Sequence, residues 1–167
     1  MIQKKICMIG TSGVGKTSLV SRFVSSIFSD KYLTTVGVKI DKTVVRAEGN
    51  DVMLMIWDLA GDDEFHRINP SHLRGASGYL LVADGTRVAT LDLAIEMQRR
   101  VDAIVGRVPF VFALNKADLK TLWQIDEERV RNLAANGWTI VKTSAKEGTQ
   151  VQGAFQTLAS RMIAPSA

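Results

Sequence analysis

At 167 residues the chain has the length of one ordinary domain, and with 46% apolar residues it can bury a core without disulfides or a structural metal. Charged residues make up 23% and no run of about eighteen uninterrupted apolar residues occurs, which excludes a disordered chain and a membrane-spanning helix. The net charge of +4 is dispersed, with Lys4-Lys5 and Arg99-Arg100 the only adjacent basic pairs, so it reads as solvated surface rather than a nucleic-acid or membrane stripe.

The N-terminus runs without an export signal into a strand-like segment, Lys5–Ile9, which contains the single cysteine. Cys7 has no internal partner and reads as a small buried hydrophobe of a protein in the reducing cytoplasm. Directly afterwards comes Gly10-Thr11-Ser12-Gly13-Val14-Gly15-Lys16-Thr17, matching G-x-x-x-x-G-K-[ST], and then the helix-compatible Ser18–Ile27. Strand, loop and helix stand in the order that a phosphate cradle needs. Its glycines let successive N–H groups turn inward, the helix N-terminus adds partial positive charge, Lys16 reaches the β- and γ-phosphates, and the Thr17 hydroxyl is suited to magnesium. ATPases and nucleotide kinases use the same cradle, so this motif leaves the base open.

Val38–Arg46 and Val52–Trp57 are joined by a short turn around Glu48-Gly49-Asn50-Asp51, too short for a cross-over helix, which predicts an antiparallel hairpin and a mixed sheet. The strand-like Gly78–Ala83 precedes a helical stripe of Leu91, Ala94, Ile95, Val101 and Ile104 that ends near Gly106. Phe110–Leu114 follows, then a stripe of Val130, Leu133 and Ala134 ending at Gly137, then the strand Thr139–Lys142. The last helix carries Val151, Ala154, Phe155, Leu158, Ala159, Met162 and Ile163 at i, i+3, i+4 spacing, with Thr149 available as N-cap. This alternation predicts an α/β domain with a mostly parallel sheet covered on both faces, and no linker or repeat divides residues 1–167.

Asn115-Lys116-Ala117-Asp118 and Thr143-Ser144-Ala145-Lys146 each follow a strand, at the C-terminal sheet edge where open α/β sheets bind ligands. A carboxylate accepts two parallel hydrogen bonds from the N1–H and exocyclic amine of guanine, and adenine offers no such pair, so Asp118 is the residue expected to select guanine.

These motifs, in this order and spacing, resemble the Ras superfamily of small GTPases, and within it the Rab-like branch, over essentially the whole chain. The resemblance implies a P-loop G domain with a six-stranded mixed sheet, one antiparallel edge strand and about five helices. It implies GTP and GDP as ligands, Mg2+ as cofactor, slow GTP hydrolysis, and effector and regulator proteins that read two nucleotide-sensitive loops, switch I and switch II. Carried over by position, Gly13, Val14, Gly15, Lys16, Thr17 and Ser18 look like phosphate and magnesium residues, and Phe28 like the aromatic packed on the base. Thr35 looks like the switch I threonine that joins the magnesium shell. In Trp57-Asp58-Leu59-Ala60-Gly61, Asp58 resembles the residue that holds magnesium through water, and Gly61 the one whose N–H meets the γ-phosphate. The base-site roles fall to Asn115, Lys116, Asp118, Ser144, Ala145 and Lys146, with Asn115 and Ser144 bracing the loops and the Ala145 N–H meeting the guanine carbonyl. Lys16, Thr35, Gly61 and Asp62 form the implied catalytic set.

Asp62 departs from the family pattern, which has glutamine there. Ionised aspartate can only accept hydrogen bonds and adds negative charge beside a polyanion, so slow turnover is expected. The chain ends Ile163-Ala164-Pro165-Ser166-Ala167 without a cysteine for prenylation and has no glycine after Met1 for myristoylation, so no direct lipid anchor is expected from it. A naturally soluble protein, a truncated one and a domain of a longer chain all fit. Of the aromatic triad that Rab-like proteins present to effectors, the matching positions are Ile40, Trp57 and His72, and His66 and His72 read as solvated loop residues. Three functions compete: a cycling GTPase switch, a GTP-bound scaffold whose chemistry has decayed at Asp62, and an ATP-dependent phosphotransferase, which would leave Asp118 unmatched.

Overall fold

The computed structural model describes residues 1–25, 29–33, 38–59 and 68–164. Phe28, Thr35, Gly61, Asp62 and His66 lie outside the described residues.

The first strand, β1 (Ile2–Ile9), begins ahead of the apolar run, and α1 (Lys16–Val24) begins inside the glycine motif. A short strand, β2 (Ser29–Leu33), precedes the hairpin of β3 (Lys39–Ala47) and β4 (Asn50–Asp58). Then follow α2 (Pro70–Leu73), β5 (Ala76–Asp84), α3 (Val88–Val105), β6 (Phe110–Asn115), α4 (Glu127–Ala135), β7 (Ile140–Lys142) and α5 (Val151–Ile163). The expected mixed sheet is present in the order β3-β4-β1-β5-β6-β7, with β3 antiparallel to β4 and the remaining pairs parallel. Among the described residues it carries one strand more. β2 pairs antiparallel with β3, so β3 is not the edge. The hairpin turn has Glu48 at φ 50° and Gly49 at φ 77°, the two left-handed positions of a tight turn whose twist matches its strands.

Alternation along the strands sorts the apolar residues into two cores. Ile6 and Met8 of β1, Leu80 and Val82 of β5, and Val111 and Ala113 of β6 face α1 and α5. Cys7 and Ile9, Tyr79 and Leu81, and Phe112 and Leu114 face the side of α3. Burial on both faces explains why β1 and β5 read as continuous apolar runs. Phe23 of α1 stacks on Phe155 of α5 with centroids 4.1 Å apart, and each such fully buried side chain contributes ~1.5–3 kcal/mol. Cys7 is fully buried, and burial pushes its thiol up to about 12 even against the favourable charge of Lys5.

The N-cap expected at Thr149 is not formed. Gln150 occupies that position in a left-handed conformation with no side-chain cap bond, and the Thr149 carbonyl accepts from the Ser144 N–H at 3.0 Å. Thr149 is thus committed to the loop after β7, whose geometry overrides the local capping preference. Because β1, β4, β5, β6 and β7 are parallel to one another, the loops leaving their C-terminal ends gather at one edge of the sheet.

Candidate functional site

The loop after β1 is held by its own lysine. Lys16, only 5% exposed, donates from Nζ to the carbonyls of Gly10 at 2.6 Å and Thr11 at 3.1 Å, which curls the loop around its ammonium group. Gly15 precedes α1 at φ 104°, and a Cβ there would stand 2.2 Å from Nδ2 of Asn115, so both the backbone conformation and the close approach require glycine. Asn115, at the end of β6, donates from that nitrogen to the Val14 carbonyl at 3.0 Å, and its Oδ1 accepts from the Thr143 hydroxyl at 3.0 Å and the Ala145 N–H at 3.3 Å. One buried amide therefore joins the loops after β1, β6 and β7.

On the same edge the Ser144 hydroxyl donates to Oδ1 of Asp118 at 2.8 Å and accepts from the Glu147 N–H at 3.0 Å, fixing the orientation of the carboxylate. Gly15, Ser18, Asn115, Lys116, Asp118, Leu119, Ala145 and Lys146 line a cavity of about 540 Å³, within the size range of small-molecule sites. Beside it, at the end of β4, the buried Asp58 accepts from the Thr17 hydroxyl at 2.7 Å. Two oxygen donors of this kind, brought within hydrogen-bond distance at the start of α1, suit a hard cation such as magnesium.

Asp84, Thr86 and Arg87, which no sequence motif marks, also belong to this edge. Asp84 ends β5, is 1% exposed, and accepts from the Thr86 N–H at 2.8 Å and hydroxyl at 2.6 Å, Arg87 Nε at 3.1 Å and Lys116 Nζ at 2.9 Å. Burial alone would push its carboxyl up. The Thr86 hydroxyl, the Lys116 ammonium, the Thr86 N–H and Arg87 outweigh burial and bring it down to about 2. Such a depressed carboxyl stabilises the fold above its unfolded value of ~3.9, and the contribution is lost as pH falls through the folded value. Asp84→Asn is expected to lower stability by about 2 kcal/mol at neutral pH, with the difference from the parent shrinking between about pH 4 and pH 2. Denaturant midpoints of both proteins across that range check this. Polar residues closing a strand on the ligand edge of an open sheet were the available signal.

His72 corrects the reading of a solvated loop histidine. It lies half-buried on α2, its ring centroid 6.5 Å from that of Trp57, and its Nε2 is buried without a hydrogen-bond partner among the described residues. Ile40 and Trp57 are direct partners across β3 and β4, and the Lys5 ammonium sits 3.6 Å from the centroid of the Trp57 ring while donating to the Arg74 carbonyl at 2.7 Å. The Trp57 ring packs on tertiary partners that chain spacing does not show.

Comparison with known proteins places the chain in a class. The Ras family model matches residues 5–164, and the chain belongs to the Ras family, whose members are GTP-binding switch GTPases. Its relatives place it in the Rab-like branch. It is 39% identical to the Ras-related protein RABA2d of Arabidopsis thaliana over 156 residues, covering 92% of this chain and 72% of that protein. It is 35% identical to the Ras-related protein Rab-8B of Pongo abelii over 157 residues, covering 93% and 76%. The Ras-related protein Rab-10 of Caenorhabditis elegans is 33% identical over 162 residues, covering 96% and 81%. Among the described residues no helix is long and apolar enough to cross a membrane.

Proposed function

We propose that this protein is a magnesium-dependent guanine-nucleotide switch that binds GTP and GDP, hydrolyses GTP slowly, and reports the nucleotide state to effectors and regulators through the loops around Thr35 and Gly61. This reading is supported by the glycine motif and Asp118 lining one cavity, since a guanine nucleotide needs a carboxylate for its base and a loop of N–H groups for its phosphates in the same site. In it, Asp118 accepts from the base, the Ala145 N–H exchanges its long bond to Asn115 Oδ1 for the guanine carbonyl, and Asn115 and Ser144 hold the loops that present them. Phe28 packs on the base, while Lys116 and Lys146 complete its surroundings. Gly13, Val14, Gly15 and Ser18 offer backbone N–H groups at the phosphates, and Lys16 exchanges its loop carbonyls for phosphate oxygens. Thr17 and Asp58 would hold magnesium, with Thr35 joining them when the γ-phosphate is present, and the ion when bound neutralises charge on the β- and γ-oxygens. A cytoplasmic location fits the lone, buried Cys7.

Asp62 favours one further reading, a GTP-binding scaffold with little or no hydrolysis. An ionised carboxylate repels the γ-phosphoryl oxygens, whereas a neutral amide orients water without that penalty. Asp62→Gln is expected to raise the intrinsic single-turnover rate by roughly tenfold, about 1.4 kcal/mol of barrier. Single-turnover hydrolysis from pH 6 to 9, in both proteins and without partners, tests both readings. Measurable turnover by the native protein supports the switch, and tight retention of unhydrolysed GTP supports the scaffold. A slower Asp62→Gln protein would reject the repulsion argument and make Asp62 a catalytic residue.

A further inference from the structure

We propose that Arg87 is a positioning residue for the nucleotide phosphates, a clamp that fixes one peptide plane of the phosphate loop from its solvent side. The inference rests on the nucleotide reading above and deepens it. Arg87 precedes α3, far along the chain from the loop, and its side chain is about half exposed. Nη2 donates to the Ser12 carbonyl at 2.9 Å, and Nε donates to Oδ2 of the buried Asp84 at 3.1 Å. The guanidinium also lies against Gly13, where an added Cβ would stand 3.1 Å from Nη2.

The carbonyls along this loop are divided between two cations. Gly10 and Thr11 turn theirs to Lys16 inside the loop, and Ser12 turns its own to Arg87. In a planar trans peptide the C=O and the following N–H point in opposite directions. Holding the Ser12 carbonyl toward Arg87 therefore aims the Gly13 N–H away from it, toward the side on which a phosphate would sit. Gly13 is at φ 76°, where glycine has little intrinsic preference between alternatives, so an external tether is what selects this orientation of the peptide. Asp84 anchors the tether at its other end, and because Asp84 also accepts from Lys116, the clamp ties the phosphate loop to the loop that carries Asp118. Asn115 joins the same two loops by a separate route, through the Val14 carbonyl.

Arg87→Ala should release both GDP and a non-hydrolysable GTP analogue about tenfold faster than the native protein, the factor set by one charge-assisted hydrogen bond of roughly 1.4 kcal/mol. Arg87→Lys should recover part of the loss, since an ammonium reaches one of the two acceptors but lacks the fork that spans both. Release would be followed with fluorescent guanine nucleotides, and the phosphorus resonances of bound GDP would be recorded for each protein. A moved β-phosphorus resonance in Arg87→Ala with partial return in Arg87→Lys is the expected signature. Native release rates in Arg87→Ala overturn the clamp. Faster release with unmoved phosphorus resonances and no rescue by lysine also overturns it, since that pattern belongs to general loosening of the fold. Failure of the native protein to retain either nucleotide would instead overturn the nucleotide reading, and the clamp with it.

Discussion

Asp118→Ala is expected to weaken GDP and GTP binding by ~3–5 kcal/mol, on the order of a thousandfold, because two hydrogen bonds to a charged acceptor are lost together. Adenine nucleotides make no such pair with the carboxylate and should lose little, so discrimination between guanine and adenine should erode by a similar factor. The structure sharpens the expectation, because the Ser144 hydroxyl already holds Oδ1 of Asp118 in place. A carboxylate pre-oriented in this way loses less entropy on binding than a mobile one. Ser144→Ala, which keeps the charge and frees the orientation, should therefore show a smaller loss in the same direction. Competitive titrations of the variants with guanine and adenine nucleotides separate the two effects, and unchanged guanine selectivity in Asp118→Ala would sink the base-site assignment.

Thr17→Ala is expected to uncouple nucleotide retention from magnesium. The Thr17 hydroxyl and the Asp58 carboxylate are 2.7 Å apart, so removing the hydroxyl takes away one of the two oxygen donors facing the site and leaves the buried carboxylate without that bond. Nucleotide release should accelerate by roughly a hundredfold in the presence of magnesium, about 2.7 kcal/mol, and a chelator should then accelerate it little further. Lys16→Ala should weaken binding at least as strongly, but its interpretation is less direct. The same ammonium holds the Gly10 and Thr11 carbonyls, so the variant also loses loop structure. Retention of native affinity and native magnesium dependence in either variant would refute the phosphate-loop reading.

The parts of the site legible in the sequence were those that lie on contiguous residues. The phosphate loop declares itself through the glycine spacing ahead of Lys16, and the base loops follow apolar strands closely enough that their place on the sheet edge could be inferred. Tertiary convergence was not legible. Arg87 and Ser12 meet only because β5 lies beside β1 in the sheet, and nothing near Arg87 in the chain announces that its partner is a loop carbonyl. Asp84 is equally silent in the sequence, since a lone aspartate after an apolar strand carries no motif, although its ion pairs to Arg87 and Lys116 make it a hub.

The fold shows the same division. Alternation and turn chemistry forecast the β3–β4 hairpin, whereas β2, with the polar sequence Ser29-Asp30-Lys31-Tyr32-Leu33, has no alternation to reveal it and pairs with β3 alone. The start of β1 at Ile2 was hidden by the polar pair Gln3-Lys4 ahead of the apolar run. Lysines are unusual in a central strand, and Lys5 is accommodated by the Arg74 carbonyl and the Trp57 ring. Thr149 looked like a cap because capping preference is local, while its carbonyl was already committed to Ser144.

The most direct test of the central claim, that this chain holds a guanine nucleotide together with magnesium, is displacement of a fluorescent GDP analogue from the native protein. GDP and GTP should displace it at near-stoichiometric concentration, ATP should fail to do so at about a thousandfold excess, and a chelator should speed its release. Equal displacement by ATP would exclude a guanine-selective site, and release indifferent to magnesium would exclude a magnesium-held nucleotide.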